Sequence, residues 1–193
     1  MWLHLKGRLE SAEDIFRQIR SEPAASVARR QLIALLRQQH RWEDALEVVR
    51  EHAAAHPKNP EIAYYLATSL LGLGRYPEGF SFYEARRFTP NFAGPPRTSA
   101  PEWKGEPVNR LLLVEEQGFG DSIMFVRYVA ELAGRGISIS LLCRPQLRPL
   151  FEASFAGVAS VCAEPPADIE AWTFLGSLPL RLRVTPEAAP TPG

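Results

Sequence analysis

Glu115, Glu116, Gly118, Gly120 and Asp121 fall within nine residues, EEQGFGDSI. Carboxylates this close together can serve acid–base chemistry. Glycines between an apolar run and a helical run allow a tight turn whose backbone amides face whatever occupies the neighbouring crevice. The pattern excludes two common nucleotide sites. A dinucleotide fingerprint requires a third glycine where Ile123 stands, and an acidic residue near the end of the next strand, where Cys143 and Arg144 stand. A P-loop requires Lys and Ser or Thr closing the turn, and neither follows Gly120. Asp121 is also a natural N-cap for a following helix. Glu115 and Glu116, as strand-end carboxylates, suit solvation or pairing with an arginine such as Arg127.

Other reactive side chains are sparse. His52 and His56 have the i, i+4 spacing that can bind zinc, but the sequence offers no evident third ligand, so surface histidines and no metal are expected. No histidine lies beyond residue 56, which removes Ser–His and Cys–His nucleophilic mechanisms from the second half. Cys143 and Cys162 read as small buried apolar residues. Two cysteines cannot build a disulfide framework, and they suit a reducing cytoplasm.

The elements that must position the glycine loop follow from periodicity. Short apolar runs alternate with helical segments: strand 111–116, helix 121–135, strand 137–143, helix 146–155, then short strands at 158–162 and 171–175. Such alternation implies βαβ units and a parallel sheet, whose ligands bind beyond the carboxyl ends of the strands. The loop 115–121 lies at such an end. Ahead of it, residues 91–109 contain no helical period and are rich in proline, the composition of a connector, within which Trp103 is expected to pack against a neighbour.

The chain has 193 residues, 46% of them hydrophobic, with 22 basic and 22 acidic side chains and zero formal net charge. It can bury a core, and its balanced charge argues against nucleic-acid or anionic-lipid partners. The longest mostly apolar uncharged stretch, 62–74, is well short of the roughly 20 residues a membrane span needs. The start has no apolar h-region, so a cytoplasmic location is expected.

The first ninety residues repeat. GRLESAEDIFRQIRSEP, HRWEDALEVVREHAAAHP and GRYPEGFSFYEARRFTP align Leu9 with Trp42 and Tyr76, Ala12 with Ala45 and Gly79, Phe16 with Val49 and Tyr83, and Pro23 with Pro57 and Pro90, at spacings of 33 or 34. A small residue at the second position lets two helices approach closely, and the bulky residues around it fill the gap to the preceding helix. Leading helices are expected at 28–38 and 61–73. The stretches resemble tetratricopeptide repeats. Residues 26–90 cover two full repeats, and 1–25, led only by the tail of a helix at 2–5, are entered halfway, so the array is expected to extend upstream. The resemblance implies a protein or peptide partner on the face formed by the leading helices. The inward positions would be Val27, Arg30, Ala34 and Arg37, then Glu61, Tyr64, Thr68 and Leu71, with Arg30 and Arg37 gripping a carboxylate, Tyr64 offering a flat contact and Thr68 lining the groove. Ala34 stands where the carboxylate-clamp subtype has Asn.

Residues 103–179, with EQGFGDSI and FVRY at their centre, resemble the first lobe of bacterial tetratricopeptide-repeat proteins carrying a glycosyltransferase family 9-like domain of the GT-B architecture, as in heptosyltransferases and, more remotely, O-linked N-acetylglucosamine transferases. The resemblance implies that this lobe faces the acceptor, with Asp121 matching the proposed general base. Glu116, Gln117, Gly118 and Gly120 would form the acceptor loop, and Arg127 and Tyr128 would orient it. A nucleotide sugar would be the donor substrate, with no resident cofactor. The lobe that binds it in such enzymes finds no counterpart here, which implies half a cleft, no transfer by the chain alone, and an uncovered apolar face inviting self-association. The expected organisation is α + α/β: repeats over 1–90, a connector over 91–109, a Rossmann-like half-domain with a short parallel sheet over 110–183, and a frayed tail over 184–193.

Overall fold

The computed structural model describes residues 9–89 and 92–187, so the expected helix tail at 2–5 and Pro90 lie outside the described residues. The chain divides into two compact units, 1–89 and 90–193.

The first unit is built from α1 (Leu9–Gln18), α2 (Ala24–Gln38), α3 (Trp42–Ala55), α4 (Pro60–Gly72) and α5 (Tyr76–Tyr83), the last running into a 3-10 turn at Glu84–Phe88. In α2 the buried residues Ala25, Ala28, Leu32, Ile33, Leu35 and Leu36 make one apolar stripe, of which Leu32, Ile33 and Leu36 pack with Ala45, Val48 and Val49 of α3 and Ile62 of α4. The small-residue position behaves as its spacing predicts: Ala12 and Ala45 are buried, and a Cβ on Gly79 would stand 2.8 Å from Leu71 Cδ2 of α4. Asn59 caps α4 by accepting the Glu61 and Ile62 amides at 2.9 and 3.4 Å, with Pro60 in the first turn.

The repeat extends to the backbone. Both leading helices end in the same left-handed turn, with His40 (φ 57) after α2 and Gly74 (φ 73) after α4. In each, the amide two beyond the cap returns to the carbonyl five residues back: Arg41 N to Leu36 O at 2.9 Å and Arg75 N to Leu70 O at 3.0 Å.

The second unit contains β1 (Arg110–Val114), α6 (Phe119–Phe125), α7 (Tyr128–Gly134), β2 (Ser138–Leu142), α8 (Arg148–Ser154), β3 (Ala159–Cys162) and β4 (Ala171–Phe174), then a 3-10 turn (Leu175–Ser177) and α9 (Leu178–Arg181). Its four strands are parallel in the order β3-β2-β1-β4. Leu111, Leu112 and Leu113 of the inner strand β1 are fully buried, as a parallel strand covered on both faces requires. The α + α/β class is thus the observed one.

Three expectations differ. The helix expected over 121–135 is two helices, because the chain tightens at 126–127: the Val129 amide reaches Val126 O at 2.9 Å, and the Met124 carbonyl accepts from Arg127 Nε at 2.7 Å. The stretch 91–109 is more than a connector. Trp103 N donates to Trp172 O at 2.7 Å and Trp172 N to Pro101 O at 3.0 Å, which lays residues 101–103 along the free edge of β4 and buries Trp103. The frayed tail expected from 184 does not begin there either: Val184 is buried and its amide donates to Pro179 O at 2.9 Å, while 188–193 lie outside the described residues.

Candidate functional site

Strand β1 ends at Val114 and delivers Glu115 and Glu116 to the carboxyl edge of the sheet. The Glu115 side chain is only 4% exposed. Its carboxylate accepts from Ser122 Oγ at 2.9 Å and from Arg144 Nε at 2.8 Å, with Arg144 Nη2 completing a forked contact. Its arginine is therefore Arg144, from the loop after β2, in place of the Arg127 that the sequence suggested. Val114 and Leu142 pair in register on β1 and β2, so residues just beyond them emerge side by side. Arg144 also donates to the Gln117 carbonyl, and its guanidinium lies 4.9 Å from the centre of the Phe119 ring. Glu116 is buried and accepts the Gly176 amide at 3.2 Å, tying β1 to the turn after β4.

Asp121 differs from both glutamates. It is half-buried and has no hydrogen-bond or ion-pair partner among the described residues. It does not cap α6 either: Gly118 holds the N-cap position, and Asp121 stands in the first turn. Gly118 is not in a left-handed conformation, its φ being −68°, and a Cβ there would come within 3.2 Å of Asp121 Oδ2, so the carboxylate would have to shift by a few tenths of an ångström. Gly120 faces open space. The apolar side chains around Asp121, Phe119, Ile123 and Met124, are all exposed.

Arg127 sits at the junction of α6 and α7, and Tyr128 is buried at the start of α7. The loop thus brings together Glu116, Gln117, Gly118, Gly120 and Asp121, with Arg127 and Tyr128 one helix further on. Arg144 was the residue missed. Its signal was an arginine two residues past the end of one strand and a glutamate just past the end of its neighbour.

Burial pushes the Cys143 thiol up to about 11, with the Glu115 charge a second cause, and burial also raises Cys162, which is only half-buried where full burial was expected. Both thiols are free and are protonated near neutral pH.

In the repeat unit the expected groove residues are largely committed to the fold. Arg30 is paired with Glu61 of the next leading helix at 3.1 Å, so it meets a carboxylate within the protein. The Arg37 guanidinium lies 6.0 Å from the Trp42 ring centre. Tyr64 packs against Tyr83 with centroids 5.6 Å apart, and Thr68 Oγ1 donates to its own helix at Tyr64 O and Tyr65 O. Val27 and Ala34 remain exposed beside them. A separate groove of about 720 Å³ runs along α3, lined by Glu43, Leu46, Glu47, Arg50 and Leu73 among others, and by none of the expected inward positions.

His52 is another correction: it is buried at 5% exposure, 4.9 Å centroid to centroid from His56, with its Nδ1 3.5 Å from Arg29 Nη1. Burial, with Arg29 second, holds it below the usual histidine range. Among the described residues no group of three His, Cys, Asp or Glu could hold a metal, and no helix is long and apolar enough to cross a membrane.

Paired helices closed by the same turn every 34 residues define a repeat protein that carries, in the same chain, a parallel α/β unit. Residues 26–69 match the tetratricopeptide repeat family, a protein-interaction module. The chain is similar to Protein FlbA of Caulobacter vibrioides, 37% identical over 119 residues that cover 56% of this chain and 20% of FlbA. It spans about a fifth of the length of that curated relative.

Proposed function

We propose that the α/β unit is the acceptor-side lobe of a nucleotide-sugar-dependent glycosyltransferase, joined to repeats that bind a protein or peptide. The observation that carries this reading is the state of the three loop carboxylates: Glu115 and Glu116 are consumed by the fold, and Asp121, beside them at the carboxyl edge of the sheet, is not. A carboxylate with no internal partner, on a loop kept thin by Gly118 and Gly120, can accept the proton of an acceptor hydroxyl as its oxygen attacks the anomeric carbon of the donor. The nucleoside diphosphate leaves with the electrons of the broken glycosidic bond.

Transfer needs the donor positioned as well as the acceptor, so one lobe is insufficient and the donor lobe comes from further sequence or from a partner chain. The free thiols favour the reducing cytoplasm.

Turnover of nucleotide sugars is measured for the 193-residue chain alone and for a form that includes a donor lobe. None is expected from the first. In the second, Asp121→Asn lowers kcat at least about 100-fold, the contribution of a general base. Wild-type rates in Asp121→Asn would remove the base assignment, and turnover by the chain alone would remove the need for a second lobe. A second reading, an interaction module whose α/β unit does no chemistry, is favoured by the tetratricopeptide match over 26–69. It predicts partner binding with no transfer in any form.

A further inference from the structure

We infer that Arg144 is the positioning residue of the Asp121 loop, acting through Glu115 and the Gln117 carbonyl rather than on a substrate. The inference rests on Asp121 being the reactive carboxylate of this lobe.

The loop leaves β1 at Glu115 and re-enters regular structure at Phe119, so two points fix its path. Arg144 reaches both. Its fork donates to the Glu115 carboxylate, and the same guanidinium donates to the Gln117 carbonyl halfway along the loop. Its Cζ then lies over the Phe119 ring at the first position of α6, 4.9 Å from the ring centre. Glu115 in turn accepts from Ser122 Oγ, the residue after Asp121. One side chain from the neighbouring strand end therefore holds the loop entrance, its middle and the helix that carries Asp121. Neither glycine contributes a side-chain anchor, so Arg144 supplies a tie to the strand end that Gly118 and Gly120 cannot.

The arginine fork matters to this arrangement. A lysine places one ammonium at one acceptor, whereas the planar guanidinium satisfies a carboxylate and a carbonyl together. Arg144 is partly exposed, at 37% of its side chain, while its carboxylate partner is buried, so the link lies at the rim of the crevice where the loop must be held still.

The test is amide hydrogen exchange on the intact chain carrying Arg144→Met, Arg144→Lys or Glu115→Gln. The expected result for Arg144→Met is exchange at residues 117–122 raised at least about tenfold, the effect of losing a charge-assisted hydrogen bond, with the β1 and β2 amides unchanged. Arg144→Lys falls between wild type and Arg144→Met, and Glu115→Gln, which keeps the side-chain volume, reproduces the loop-confined increase. An unchanged loop, or an increase spread evenly over the sheet, overturns the assignment. In a form with a donor lobe, Arg144→Met lowers kcat with KM little changed. Loop-confined exchange together with undiminished transfer by Asp121→Asn would leave Arg144 as the loop's anchor while removing Asp121 as the base, so the two failures are separable.

Discussion

The Trp42 indole lies against Gly72, with Cδ2 only 2.5 Å from where a Cβ on Gly72 would stand. The last turn of α4 therefore packs on the first residue of α3 with no room for a methyl group. Gly72→Ala gains up to about 1 kcal/mol of helix propensity but forces the indole out of place, an overpacking cost of about 1–3 kcal/mol. The expected net effect is a lower denaturation midpoint in urea. A midpoint equal to or above wild type would show that the ring moves freely.

His40 holds a left-handed turn that Gly74 holds one repeat later. A side chain in this conformation carries a steric cost that glycine avoids. His40→Gly is expected to stabilise the chain by about 0.5–1 kcal/mol, with part of the gain lost to the freer unfolded chain and to the His40–Trp42 ring contact at 6.0 Å. Thermal denaturation of the variant reads the sign directly.

His52 is expected to make the repeat unit acid-sensitive. Its folded-state pKa is lowered from 6.5 by burial and by the cation Arg29, so the unfolded chain binds the proton more readily. The stability it contributes is fully present above pH 6.5 and is lost as pH falls through the folded value. The urea midpoint is expected to drop between pH 7.5 and pH 5.5, and His52→Gln is expected to flatten that slope. Equal slopes in the two proteins would assign the effect elsewhere.

Glu115 and Asp121, six residues apart, should respond unequally to truncation. Glu115→Ala removes the buried acceptor of Ser122 and Arg144 and is expected to cost about 1–3 kcal/mol, moderated because Arg144 can rehydrate. Asp121→Ala removes no internal partner among the described residues and is expected to stay within about 0.5 kcal/mol of wild type. A comparison of melting temperatures decides this. A large loss for Asp121→Ala would make that residue structural.

The repeats were legible because each is a local object. The small residue that lets α5 approach α4 acts between chain neighbours, and the 33- to 34-residue spacing writes it out in order. The strand–helix alternation was legible for the same reason, to within a few residues at each end. The sequence also marked 115–121 as the informative loop, because an apolar run followed by acids and glycines places them at a strand end. Which of its acids stays unpaired was not legible. Arg144 lies 29 residues from Glu115, and they meet because β2 settles beside β1 in parallel register. Arg30 meets Glu61 across 31 residues, and the segment at 101–103 completes an edge formed by Trp172. Period and turn chemistry are properties of neighbouring residues, so the chain alone determines the elements. Charge pairing and burial depend on which elements come to lie side by side, and only the tertiary structure decides that.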